Sequence, residues 1–326
     1  MLTDSFGRTH DYLRISLTDN CNLRCFYCMP EEEYDFTPAS RLMQAEEIET
    51  LARIFTAHGV RKIRLTGGEP LVRKDAARII EALGNLPVKL TLTTNGVRVH
   101  DFIPVLEAVG VRSLNISLDT LNADKFLLMT RRDVFGQVRR NIDLLLEKGM
   151  EVKINVVVIH DLNDSEIIDF VSWTKDIPIE VRFIEFMPFT GNRWSSNRVV
   201  TQQEILDLIA KQCSFAPMAR GAHDTATPFR AEGHKGTFAV IGTMSAPFCS
   251  GCNRLRLTAD GKLKNCLFSA SETDLLGPLR RGESIEPLIA DAVRSKAAAL
   301  GGQLDGPFQQ LEAHDIANRS MITIGG

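Results

Sequence analysis

The chain has 326 residues, which at about 150 residues per domain suggests two domains, or one barrel-sized domain with an extension. Hydrophobic residues make up 44% and charged ones 24%, close to average usage, which excludes a disordered, collagen-like or coiled-coil chain. A formal net charge of −3 gives no global attraction to nucleic acid or anionic lipid, so any anion site has to be a local basic pocket.

The opening MLTDSFGRTHDYLR lacks the charged-then-apolar pattern of a signal peptide. No apolar run approaches the roughly 18 residues of a membrane span, so a cytosolic location is expected. From Asp11 to about Met187, β-branched runs alternate with stretches of helical periodicity, the pattern of parallel βα units. Six strands are predicted: Tyr12 to Leu17, Lys62 to Thr66, Val88 to Thr93, Ser113 to Leu118, Val152 to Ile159 and Ile179 to Phe186. Between them, Ile48, Leu51 and Phe55 share one helical face, as do Val134, Val138, Ile142 and Leu145, which marks amphipathic helices packed on a sheet. Gly59, Gly84, Gly110 and Gly149 stand where left-handed helix caps are expected.

Polar, glycine-rich sequences follow the strands: Cys21-Asn22-Leu23-Arg24-Cys25, Thr66-Gly67-Gly68-Glu69-Pro70 and Thr93-Thr94-Asn95-Gly96. In a (β/α) barrel that end carries the active site. Six strands are too few for eight-stranded closure, so the expected fold is α/β, a partial (β/α)6 TIM-like barrel over residues 1–190. Residues 191–326 form a C-terminal region that covers the open side. There the βα rhythm fades, and Thr201-Gln202-Gln203-Glu204 is a capping box that opens a helix.

Six of the seven cysteines fall in two clusters. Cys21, Cys25 and Cys28, spaced C-x3-C-x2-C on one loop, can wrap three thiolates around a single metal centre. Three ligands suit an iron–sulfur cubane with one open iron, whereas a structural zinc site usually has four. A zinc site completed by a distant His or Cys is the alternative. Cys249, Cys252 and Cys266 form a second trio, with a gap between the last two that suits a hairpin, and here a zinc ribbon is the alternative. Arg254 and Arg256 lie two apart on a predicted strand, on one face beside this trio, and paired guanidiniums suit phosphate oxygens. Cys213 stands apart and is expected to be a small buried hydrophobe. Arg14, Arg64 and Lys153 sit inside apolar strands, where a lone charge needs a partner or a polar cavity. An internal salt bridge, for example to Glu69 or Asp119, is the other reading.

The C-x3-C-x2-C motif with Tyr27 before its third cysteine, followed by Gly67-Gly68-Glu69-Pro70, resembles the radical S-adenosylmethionine enzymes. Leu13-Arg14-Ile15-Ser16-Leu17-Thr18-Asp19, the Cys-Asn-Arg-Leu-Arg run and the terminal Ile324-Gly325-Gly326 are similar to the GTP 3′,8-cyclase family of molybdenum cofactor biosynthesis. The similarity runs from Leu2 to Gly326. An arginine in Thr130-Arg131-Arg132-Asp133 stands where that family often has glycine, and Pro188 to Phe248 matches it only loosely.

The resemblance implies two [4Fe–4S] clusters, on Cys21, Cys25 and Cys28 and on Cys249, Cys252 and Cys266. It implies S-adenosylmethionine held through Tyr27, Gly68, Ser117 and Met187, and GTP held through Arg14, Lys62, Arg64, Thr93, Lys153, Arg254 and Arg256. The implied reaction takes hydrogen from C3′ of GTP with a 5′-deoxyadenosyl radical and joins C3′ to C8, with Arg14, Gly325 and Gly326 at the reacting centre. The implied partners are an electron donor, a downstream cyclic pyranopterin monophosphate synthase and, as often in the family, a second copy in a homodimer. A radical enzyme acting on a peptide or another nucleotide is the neighbouring reading. A zinc-ribbon nucleic-acid binder would need a basic surface and stacking aromatics, and aromatic residues are 7% here.

Overall fold

The computed structural model describes residues 1–30, 34–304, 306–313 and 316–325. Six parallel strands follow one another in space as in sequence: β1 (Tyr12–Ser16), β2 (Lys62–Thr66), β3 (Lys89–Thr94), β4 (Ser113–Ser117), β5 (Glu151–Val158) and β6 (Glu180–Glu185). Each agrees with its predicted run to within a residue. The helices α1 (Ala45–Ala57), α2 (Ala76–Gly84), α3 (Val99–Ala108), α4 (Ala123–Thr130), α5 (Phe135–Glu147) and α6 (Ile167–Trp173) connect them. The six-strand sheet does not close on itself, as expected of a partial barrel.

The rest of the chain extends this sheet at both edges. After α7 (Gln202–Ala210), whose capping box on Thr201 and Glu204 is present, come β7 (Phe215–Pro217), β8 (Thr227–Ala231) and β9 (Thr237–Ile241). β9 pairs in parallel with β6. Beyond it, β10 (Arg254–Leu257) pairs in parallel with β1, and β11 (Lys262–Lys264) and β12 (Thr273–Asp274) complete a 12-stranded sheet. The C-terminal region thus lends one parallel strand to each side of the partial barrel. Then follow α8 (Leu276–Arg280), α9 (Glu286–Arg294) and α10 (Met321–Ile324).

Strand alternation sorts the side chains. Leu13, Ile15, Ile63, Leu65, Leu114 and Ile116 are buried in the core that the helices cover, with Ile48, Leu51, Phe55, Ile79, Val138 and Ile142 opposite them. Tyr12, Arg14, Lys62, Arg64, Lys153 and Arg182 point into the hollow. Of the four predicted cap glycines, Gly59, Gly110 and Gly149 have positive φ, whereas Gly84 does not and ends α2 in helical conformation. Its reason is space: a Cβ there would lie 2.4 Å from Cβ of Val109. Cys213 is half-buried against the core rather than enclosed in it.

Candidate functional site

Two cavities share the hollow, and Asn155, Ile184, Met187 and Met321 line both. The first, about 190 Å³, lies at the carboxyl ends of the strands. Cys21, Cys25 and Cys28 reach it from the loop after β1, whose turn closes through Cys28 N and Met29 N donating to Cys25 O. Tyr27, Gly68, Ser117 and Met187 line the same cavity. A Cβ on Gly67 or Gly68 would lie 2.5 Å from the carbonyl of Thr18 or Asp19. The glycine pair therefore lets the β2 loop pack directly on the cysteine loop, a closer approach than any side chain permits.

Glu69 does not serve as a salt-bridge partner for the strand cations. Its buried carboxylate accepts from Leu71 N, Thr94 Oγ1 and Asn95 N, tying the loops after β2 and β3 together. Burial outweighs these bonds and pushes it up to about 7. Asp119, raised by burial to about 6, accepts from the Tyr27 hydroxyl and from Val157 N and so holds the cysteine loop against β5.

The second cavity, about 390 Å³, runs along the strand interior toward the amino ends. Interior side chains of a closed eight-stranded barrel would fill that space; this open sheet leaves it free. Its walls are cationic. Parallel pairing sets Arg14 directly beside Arg64 on one side and Arg256 on the other, and Tyr12 beside Lys62 and Arg254 in the next row. Arg64 donates to the Tyr12 hydroxyl and to Thr93 Oγ1, the latter at 3.2 Å. Lys62 sits 4.5 Å over the Tyr12 ring. Thr93 itself lines the first cavity, not the second.

Lys153 pairs with Glu180 at 3.1 Å, so one of the expected internal salt bridges exists, though with a partner other than Glu69 or Asp119. Arg14 has none among the described residues, and its Nε is buried without a hydrogen bond. Burial, then the charges of Arg64, Arg254 and Arg182 against Tyr12 alone, brings its guanidinium down to about 10. Arg256 is lowered well below the usual range by burial and by Arg14 and Arg254. Adjacent like charges on a sheet face destabilise it, a repulsion that an anion in the cavity would relieve.

Cys249, Cys252 and Cys266 close the far end of this cavity. The expected hairpin, β10 and β11, separates Cys252 from Cys266. Leu300 N donates to Cys249 Sγ at 3.4 Å and Lys296 Nζ to Cys252 Sγ at 3.3 Å. Burial alone would raise Cys252, but Arg254 and Lys296 hold it near 7. The tail also enters. Gly325, with φ +85, sits where a Cβ would lie 2.5 Å from Thr66 Oγ1. Gly326 lies outside the described residues.

Both trios fit an iron–sulfur cluster better than zinc. Sulfurs around a tetrahedral zinc ion stand about 3.8 Å apart. Among the described residues only His160, Asp161 and Asp164, at the surface, bring three ligand atoms within 4.8 Å of one another. Neither cysteine trio converges so tightly, which suits a cluster of several irons. All the cysteines are free. Burial and then neighbouring thiol charge raise Cys25 and Cys28, an expense that thiolate–metal bonds reverse.

Sequence reasoning missed several lining residues. Arg182 carried the same signal as Lys153, a charge inside an apolar run. Lys89 and Asn155 sit on β3 and β5 with no motif to mark them; Lys296, which lines neither cavity but donates to Cys252 Sγ, comes from a segment without any pattern.

A hollow parallel sheet with a three-thiol loop after its first strand is the arrangement of a radical S-adenosylmethionine enzyme, and residues 15–174 match the Radical SAM superfamily model. Residues 179–301 match the model described as Molybdenum Cofactor Synthesis C. The chain is 48% identical to the mitochondrial GTP 3′,8-cyclase of Arabidopsis thaliana, over 100% of its own length and 84% of the relative's. It is 46% identical to molybdenum cofactor biosynthesis protein 1 of Mus musculus, covering 99% of its own length but 51% of that protein; it thus spans about half of such animal relatives. The fold is similar to that of Streptococcus suis SuiB bound to precursor peptide SuiA, with TM-score 0.61 at 15% identity, over 97% of this chain and 71% of that one. The chain belongs to the GTP 3′,8-cyclase family of radical S-adenosylmethionine enzymes, whose cofactors are S-adenosylmethionine and [4Fe–4S] clusters.

Proposed function

We propose that the chain converts GTP to (8S)-3′,8-cyclo-7,8-dihydroguanosine 5′-triphosphate, the first step of molybdenum cofactor synthesis. The observation that carries the reading is the row Arg256, Arg14, Arg64, cationic and facing a cavity between two three-thiol sites. A triphosphate supplies the negative charge that row lacks, and its guanidiniums can grip phosphate oxygens in pairs. Lys62, Lys153 and Arg254 add to the same wall, and Thr93 orients Arg64 from the neighbouring cavity.

Cys21, Cys25 and Cys28 would hold one cluster, with S-adenosylmethionine against Tyr27, Gly68, Ser117 and Met187; together these supply a carbon radical able to take hydrogen from an unactivated carbon. Cys249, Cys252 and Cys266 would hold a second cluster at the base end of the substrate. The protein contributes position: Asn155, Ile184, Met187 and Met321 lie where the two cavities meet, so a ribose there presents C3′ to the first cavity while the phosphates stay on the cations. Hydrogen leaves C3′, a C3′–C8 bond forms, and one electron and one proton complete the reduced base, giving an isomer of GTP. Gly325 packs against Ser16 and against Thr66 of the first cavity and is bonded to Arg256 of the second, and with Arg14 it would exclude water from the reacting carbons.

The electron comes from an external donor, the product passes to a cyclic pyranopterin monophosphate synthase, and the chain acts in the cytosol as a homodimer in this reading. Incubation without air with S-adenosylmethionine, a strong reductant and GTP deuterated at C3′ tests it. Deuterium in 5′-deoxyadenosine, with a nucleotide isomeric with GTP, is the expected result; 5′-deoxyadenosine without deuterium would move the reading to another substrate.

A further inference from the structure

The amino-terminal hairpin, outside both cavities, grips the second cysteine trio from behind. Thr3 bridges Thr9, and His10 N donates to Leu2 O at 2.7 Å. Inside the turn, the fully buried Asp4 carboxylate accepts from Phe6 N and Arg8 N through Oδ1 and from Arg8 Nε at 2.6 Å through Oδ2. The guanidinium is thereby fixed in one orientation. Its Nη1 donates to Cys249 O at 3.0 Å and Ala298 O at 2.6 Å, and its Nη2 to Ala297 O at 2.8 Å.

These carbonyls belong to two separate segments. One is the turn that carries Cys249. The other, residues 294–300, supplies both donors to the trio's sulfurs, Leu300 N and Lys296 Nζ. Ser5 Oγ fastens the same segment through Arg294 O at 2.6 Å. Arg8 is thus the only side chain among the described residues that bonds both the backbone of a trio cysteine and the strip that donates to the trio. A planar fork whose separate nitrogens are locked in one orientation does this; an ammonium on a flexible stem has no such fixed geometry.

We propose that Asp4 and Arg8 are a positioning pair for the second metal site: they hold Cys249 and the 294–300 strip in register so that the three thiolates can take up a cluster. The proposal rests on the reading of that trio as an iron–sulfur site. Outer-shell partners of metal ligands typically change affinity by about 10–100-fold when removed.

The test uses two full-length backgrounds, one with Cys21, Cys25 and Cys28 changed to Ser, leaving only the second site, and one with Cys249, Cys252 and Cys266 changed to Ser, leaving only the first. Iron per chain, the electron paramagnetic resonance signal of the reduced cluster and resistance to an iron chelator are read without air. Arg8→Gln and Asp4→Asn are expected to lower the chelator concentration that strips iron on the order of tenfold in the first background and to leave the second unchanged, with Arg8→Lys in between. Equal loss in both backgrounds would show a general folding role and overturn the proposal, as would no loss in either. If the second-site background holds no iron even with Arg8 intact, the reading of that trio fails and the proposal falls with it.

Discussion

The guanidinium of Arg256 donates from Nη1 to the carbonyl of Gly325 at 2.7 Å, so the last described residue is bonded to a cation of the second cavity. The bond joins β10 to a tail that runs back through Ser320, bonded to Tyr34 beyond the first cysteine loop, and Arg319, paired with Asp260 and Glu272. Gly325 is therefore packed and bonded into the wall of the hollow.

Replacing Gly325 by Ala should damage turnover rather than folding. Its φ of +85 and the 2.5 Å approach to Thr66 Oγ1 leave no room for a methyl group, so the tail has to withdraw. We expect kcat to fall by at least about tenfold, or 1.4 kcal/mol, with iron content and Tm unchanged. An unchanged kcat would remove the tail from the reacting centre.

Arg14→Ala should move stability and binding in opposite directions. Relieving the repulsion with Arg64 and Arg256 should stabilise the ligand-free chain by about 0.5–1 kcal/mol. Losing a charge-assisted contact should weaken GTP binding by at least about tenfold. Thermal unfolding and calorimetric titration read the two separately; a drop in both would mean that Arg14 is structural.

Gly84→Ala should be the converse case, affecting stability alone. The added Cβ would overlap Val109, and overpacking of this kind takes about 1–3 kcal/mol from the fold. Tm should fall while the specific activity of folded protein is kept. Loss of activity at full stability would refute the packing account.

The hairpin should also make the metal-free chain acid-labile. Burial and then Lys296 hold His10 down to about 4 against the bond from Asp4. In Asp4, the bonds from His10 and Arg8 overcome burial and hold the carboxyl near 2. Both values lie below those of the unfolded chain, which therefore binds more protons, so stability falls as pH drops. The His10 share is complete above about 6.5 and is lost by about 4; the Asp4 share goes between about 3.8 and 2. Urea midpoints measured from pH 8 to 4 should decline, and His10→Gln should flatten that decline.

Much of this was legible in the sequence because its signals are local. A charge inside an apolar strand marked Arg14, Arg64 and Lys153 as needing a partner or a polar cavity, and C-x3-C-x2-C placed three thiols on one loop whatever the surroundings. Arg182 was just as legible by the same argument. Gly84 was misread because a cap glycine and a close-packed glycine look alike until the opposing side chain, Val109, is known.

The sequence by itself determined the βα order, the apolar faces of the helices and both cysteine trios, since each depends on neighbours within a few residues. Tertiary structure alone decided that β9 and β10 extend opposite edges of one sheet, which brings Arg256 beside Arg14 and the second trio to the far end of the same hollow. It also decided that Gly325 returns to Arg256 and that Arg8 reaches Cys249 across 241 positions of chain. Such pairings are set by strand register and loop closure over long separations, and no local pattern of residue types encodes them.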